Sequence, residues 1–150
     1  MAQKELYVLS WNIAGIRKKL EDPLWGDLID SYDICAFQES WALEPPYRSG
    51  FITYYINALP STAGRPSGGL VIWIKNSLNF TQKNLNIPSK DLLGVTLRSN
   101  KGVAILLYNV YNSPIQFSKP SNILDLLNLH LRKQCQTGKC LIMGDFNSSL

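Results

Sequence analysis

Three apolar runs in this chain end on polar residues that could do chemistry. "LYVLSWNIAG" delivers Asn12, "ICAFQES" delivers Glu39, and "CLIMGDFN" delivers Asp145 and Asn147. A fourth run, "LLYNVY", ends on Tyr111. Residues two apart in a strand point to the same face, so Asp145 and Asn147 are expected to act together. Adjacent strands ending at one rim would gather two carboxylates, amides and a phenol in a single pocket. That set suits metal-assisted attack on a phosphate. Glu39, with Asn12 alongside, supplies hard oxygen ligands for a magnesium ion that keeps most of its waters, with manganese as the substitute. Asp145 would orient or deprotonate the attacking water, and Asn147 and Tyr111 would hydrogen-bond the phosphoryl oxygens. Singly, each residue has an ordinary reading as a turn former, a surface acid or half-buried packing. Their shared position at strand ends, in this order, favours the chemical reading.

The elements that must position these residues follow from the period of the apolar positions. "LYVLSWNIAG" and "ICAFQES" read as strands, and between them "EDPLWGDLIDSYD" carries Pro23 near a helix start with Leu24, Leu28 and Ile29 at helical spacing. "FITYYINAL" and "LVIWIK" read as strands joined by the long loop "PSTAGRPSGG". "LLGVTLRSNKGVAILLYNVY" reads as a hairpin turning at "SNKG". "SNILDLLNLHLRKQC" reads as a helix capped by Ser121 or Asn122, with a basic end, before the last strand "CLIMGDF". The pattern is α/β with more strands than helices. An apolar patch left uncovered on the second sheet, including Ile105, Leu107 and Ile142, is expected.

Composition narrows the function classes. Of the 150 residues, 45% are apolar and 17% charged, within the range of a globular domain. No apolar run approaches a membrane span, and "MAQKELYVLS" lacks the layout of a secretory signal. Three cysteines suit reduced, intracellular thiols, and a zinc site from Cys135, Cys140 and His130 is disfavoured. The net charge of +4 divides into −3 over residues 1–50 and +7 over residues 51–150. The basic residues are scattered, which permits a polyanionic partner without demanding one.

The motifs "SWNIAGI", "FQES", "GGLVIWI", "YNVY" and "LIMGDFNSSL", in this order, resemble the endonuclease/exonuclease/phosphatase superfamily over essentially the whole chain. "GRPSGGLVIWI" with "LIMGDFNSSL" is most similar to the endonuclease domain of LINE-type, non-LTR retrotransposons. The resemblance implies a two-sheet α/β sandwich of the deoxyribonuclease and AP-endonuclease type and a magnesium-dependent DNA-nicking activity. Glu39 matches the metal-binding glutamate, Asn12 the metal-site asparagine and Tyr111 the phosphate-contacting tyrosine. Asp145 and Asn147 match the pair that positions the nucleophile. Arg65, in the "GRPSGG" loop, and Arg17 are the candidate DNA contacts. A nuclear protein with a downstream reverse transcriptase domain is what the retroelement likeness implies.

The departures are specific. AP endonucleases carry an acidic residue where this chain has Ala14, which puts a second metal position in doubt. "NSP" follows Tyr111 where the retroelement enzymes often have "xPN", so no role passes to Asn112. The family's later Asp-His pair has no counterpart here, and His130, inside a helical pattern, does not take its place. Residues 1–150 are therefore expected to be the N-terminal portion of a longer domain whose C-terminal part is missing. Two rivals stand beside the nuclease: a phosphomonoesterase or lipid phosphodiesterase of the same superfamily, and a non-catalytic remnant that only binds.

Overall fold

The computed structural model describes residues 5–113, 123–134 and 138–147. Val8–Asn12 (β1) and Ile34–Gln38 (β2) pair in parallel, joined by a crossover through Arg17–Leu20 (α1) and Pro23–Asp30 (α2). The start of α2 is written locally. Asp22 accepts the Leu24 N–H at 3.0 Å, and Pro23 occupies the first helical position, where its missing N–H costs nothing. Phe51–Ile56 (β3) and Leu70–Lys75 (β4) complete a sheet in the order β1-β2-β4-β3.

The second sheet holds Phe80–Asn84 (β5), Leu92–Ser99 (β6), Ala104–Tyr111 (β7) and Lys139–Asp145 (β8), in that order. Ile123–Gln134 (α3) makes the crossover from β7 to β8, which pair in parallel. Each sheet thus contains one strand–helix–strand unit with its helical layer outside.

Strand alternation then makes three cores. Ile34, Ala36, Leu70, Ile72 and Ile74 of the first sheet face Leu93, Val95, Leu97, Leu107 and Met143 of the second. Cys35, Phe37, Val71 and Trp73, one residue out of phase, meet Ile16, Trp25 and Ile29 on the outer side. Leu106, Tyr108 and Val110 meet Ile123 and Leu127 of α3. The result is the two-sheet α/β sandwich.

Three expectations change. β5 was not visible in the sequence because "FTQKN" has no apolar run. It is an edge strand held to β6 by backbone hydrogen bonds, its side chains alternating between half-buried and exposed. Leu107 is fully buried and Ile105 half-buried in the inter-sheet core, because the first sheet covers that face; of the three residues named, Ile142 is exposed at 39%. Cys140 is disulfide-bonded, so the thiols are not all reduced, and the buried Cys35 is free. Cys135 and the cap candidates Ser121 and Asn122 lie outside the described residues. Among the described residues, no helix is long and apolar enough to cross a membrane.

Candidate active site at the sheet rim

β1, β2, β7 and β8 end together at one rim, and their terminal residues form a continuous hydrogen-bonded chain. Tyr111 Oη donates to Glu39 Oε1 at 2.9 Å. Asn12 Nδ2 donates to Glu39 Oε2 at 3.1 Å and to Asp145 Oδ2 at 2.9 Å. The two carboxylate oxygens on either side of Asn12 are therefore no more than about 6 Å apart, since both bond to one nitrogen at 3.1 and 2.9 Å. An open depression of about 420 Å³, lined by Asn12, Asp145, Phe146 and Asn147, lies beside them. A larger one of about 770 Å³ has no carboxylate among its lining residues and is mainly apolar, around Leu6, Leu78, Phe80 and Val103.

The backbone at this rim is unusual. Among the described residues, five non-glycine residues have positive φ, and four of them, Ala14, Glu39, Trp41 and Asn147, are in rim loops. Left-handed geometry costs energy for residues with a Cβ and is retained where surrounding contacts impose it. Here the contacts are visible. Gly15 N–H bonds Glu39 O at 2.9 Å, Ile16 N–H bonds Ser40 O at 3.0 Å, and Trp41 N–H bonds Gly68 O at 3.0 Å. Glycine is needed where the loops touch: a Cβ on Gly69 would collide with Ser40 Oγ, and one on Gly144 with the Val110 carbonyl. Lys19 Nζ bonds Ile13 O at 2.6 Å, bracing the loop just past Asn12.

Asn147 lies beyond the end of β8, so strand alternation does not align it with Asp145. Its N–H bonds Asp145 Oδ1 at 3.1 Å in a side-chain-closed turn, and its Nδ2 donates to Asn112 O at 2.8 Å. Asn112, to which the sequence assigned nothing, proves central to this loop. It is buried, its N–H bonds Asp145 O at 2.8 Å, and its Nδ2 bonds Phe146 O at 3.0 Å. Its position directly after Tyr111 was the only available signal.

The Tyr111 hydroxyl has its partner within the rim chain. The single hydroxyl hydrogen goes to Glu39, and burial first, then that hydrogen bond and the surrounding carboxylates, push the phenol up to about 12. At neutral pH it is a fixed donor that orients Glu39. Arg65 and Arg17 both lie by Trp41, two residues past Glu39. The Arg65 guanidinium lies 4.3 Å from the Trp41 ring centroid, and Arg17 borders a groove of about 340 Å³ with Ile16, Leu20 and Trp41. His130, on α3, forms no part of the rim chain.

The donors available to a cation are all hard oxygens: Glu39, Asp145 and the Asn12 carbonyl. Neither carboxylate has a basic partner among the described residues, and a neutral amide bridges them. Two carboxylates this close fit a hard divalent ion such as magnesium better than a transition metal that wants imidazole or thiolate. Among the described residues there is no cluster of three or more His, Cys, Asp or Glu, so a bound ion would keep waters.

The two-sheet sandwich and its acidic, amide-rich rim agree with what the sequence matches. The chain belongs to the Endonuclease/Exonuclease/phosphatase family, whose pattern it matches over residues 9–150. No curated protein matches it by sequence. Similar solved structures include the catalytic domain of Xenopus laevis APE2, at 20% identity and TM-score 0.62, covering 96% of this chain and 59% of that one. D. rerio TDP2 complexed with single-strand DNA product matches at 12% identity and TM-score 0.64, covering 99% and 63%. The endonuclease domain of TRAS1, a telomere-specific non-LTR retrotransposon, matches at 12% identity and TM-score 0.58, covering 97% and 61%. The chain spans about six-tenths of the length of these relatives.

Proposed function

We propose that this chain carries the metal-binding residues of a magnesium-dependent DNA endonuclease of retroelement type that leaves a nick. The observation that carries the reading is the Tyr111–Glu39–Asn12–Asp145 chain, which draws two carboxylates from two sheets onto one amide. Glu39 and Asn12, with Asp145 adjacent, would hold magnesium, or manganese in its place. The ion would supply charge neutralisation at the phosphate and a more acidic water. Tyr111 keeps its proton on Glu39 Oε1 and so fixes that carboxylate's direction. Asp145, held by Asn12 on one oxygen and by the Asn147 N–H on the other, is oriented to receive or align a water. Arg65, stacked on Trp41, and Arg17 would meet the DNA backbone. TDP2 bound to single-strand DNA and the TRAS1 endonuclease support DNA as the substrate. In the parent protein this reading places a reverse transcriptase domain downstream and the protein in the nucleus.

The test is plasmid nicking with magnesium by the full natural chain and by Glu39→Ala, with hydrolysis of a phosphomonoester and a choline lipid alongside. Nicking that is lost in Glu39→Ala is the expected result. Cleavage of the small substrates alone would assign the site to a phosphatase or lipid phosphodiesterase, and no turnover would leave a binding remnant.

A further inference from the structure

Directly beneath the rim chain lies a second polar layer that the reading above does not use. Asn109 is fully buried in β7, on the face that otherwise contributes Leu107 to the inter-sheet core. Its Nδ2 crosses to the first sheet and donates to Phe37 O and to Val71 O, both at 2.9 Å. Phe37 and Val71 are register partners in β2 and β4, so one amide pins β7 against the seam between two strands. Asn109 Oδ1 accepts from Gln38 Nε2 at 2.7 Å, and that same nitrogen lies 3.3 Å from Ser10 Oγ in β1. Gln38 is 1% exposed.

Each member of this layer sits just before a rim residue on its own strand. Ser10 comes two residues before Asn12, Gln38 one before Glu39, and Asn109 two before Tyr111. The Gln38–Asn109 bond therefore joins β2 to β7 directly below the point where the Glu39–Tyr111 bond joins the first residue past β2 to the end of β7. Packing alone would not hold that height. Apolar contacts between core residues such as Ile72 and Leu107 are non-directional, whereas three hydrogen bonds to fixed backbone and amide atoms define one relative position of the sheets. A buried amide also costs more than a leucine unless every polar atom is partnered, and here both ends of Asn109 are.

We infer that Asn109 is a positioning residue: through Gln38 and the Phe37 and Val71 carbonyls it sets the relative height of the two sheets, and so the geometry in which Glu39 meets Tyr111. This rests on the metal-site reading of Glu39. Groups bonded directly to a metal ligand change metal affinity or activity by about 10–100-fold when removed, and Asn109, one step further back through Gln38 and the β2 backbone, should fall at the lower end of that range.

The experiment compares the full natural chain with Asn109→Leu, with Ile72→Val as a stability control in the same layer, and with Glu39→Ala. Thermal unfolding, manganese affinity by calorimetry, and kcat and KM for plasmid nicking are measured below every unfolding midpoint. Asn109→Leu is expected to weaken manganese binding or lower kcat by about tenfold or more with KM little changed. Ile72→Val should lose stability and keep both. If Asn109→Leu does not fold, Gln38→Met, which keeps both carbonyl bonds of Asn109, is judged by the same criterion. Folded Asn109→Leu with unchanged manganese affinity and kcat, or losses matched by Ile72→Val, would overturn the inference. If the natural chain binds manganese no better than Glu39→Ala, the metal-site reading has failed first, and the inference with it.

Discussion

Asn12 and Asp145 are 133 positions apart in sequence, and the Asn12 amide nitrogen bonds Asp145 Oδ2 at 2.9 Å. The contact joins β1, at the edge of one sheet, to β8, at the edge of the other. Because the same nitrogen also bonds Glu39, this amide is where the two sheets agree on the position of both carboxylates. Replacing it tests the arrangement directly. Asn12→Ala should leave two half-buried carboxylates facing each other without a donor between them, lowering stability by about 1–3 kcal/mol. Magnesium should widen the difference, since it would bind the wild type, which keeps Asn12 in the cation site, more tightly than the variant. Thermal melts of both proteins with and without saturating magnesium check it; a difference unchanged by magnesium would contradict the shared cation site.

Removing the carboxylate itself should separate folding from activity. Glu39→Gln keeps the shape of the side chain but loses the charge and one of the two acceptors that Asn12 and Tyr111 use, so the fold should persist with a small loss of stability while nicking by the full natural chain drops on the order of 10³-fold or more. Circular dichroism and plasmid nicking read the two effects independently.

Tyr111→Phe removes one hydroxyl. The carboxylate loses its orienting donor at Oε1, with an expected stability loss within about 1.5 kcal/mol and a kcat loss of about 10–100-fold. Burial and the hydrogen bond to Glu39 push the phenol up, so without metal the protein should show no Tyr111 ionisation by ultraviolet absorbance below pH 10. A phenolate signal below pH 10 that this substitution removes would argue against a fixed donor.

Gly144→Ala should be costly for two reasons at one position. The residue has φ 153°, and a Cβ would strike the Val110 carbonyl, which belongs to the strand that carries Tyr111. A loss of about 2 kcal/mol or more is expected by chemical denaturation, with Asp145 displaced. Gly50→Ala, with nothing within 4 Å of its Cβ position, bears the strain of φ 88° without the clash and should be milder.

Alkaline stability should depend on Cys35. Burial pushes its thiol from 9.0 to about 12 in the folded protein, with Lys75 and Arg48 opposing the shift. The folded state holds this proton more tightly than the unfolded chain. Its contribution is therefore complete below pH 9 and is lost as pH rises toward 12, at about 1.4 kcal/mol per pH unit. Cys35→Ala should flatten that slope in urea melts between pH 8 and 11, leaving the same-signed contributions of Tyr54, Tyr108 and Tyr111. An unchanged slope would contradict the assignment.

The sequence by itself determined the local elements with strong signals and the four rim stations. The run before Glu39 is apolar and fully buried, those ending at Asn12 and Asp145 are apolar but half-buried edge strands, and an apolar run that ends on a polar residue announces where the strand leaves the sheet. The start of α2 was legible for the same local reason, in Asp22 and Pro23. β5 was not, because an edge strand made of "FTQKN" is held by its neighbour's backbone and not by its own pattern. Nor could the sequence say that Ile105 and Leu107 would be covered, since that depends on which sheet face meets the other. The Gln38–Asn109 layer and the Asn112 clamp were equally hidden: a lone amide in an apolar run has no partner until β2 and β7 are stacked. Tertiary structure alone decided that Tyr111 would donate its hydrogen bond to Glu39, because a hydroxyl's partner is set by the distance between strands that are far apart in the chain.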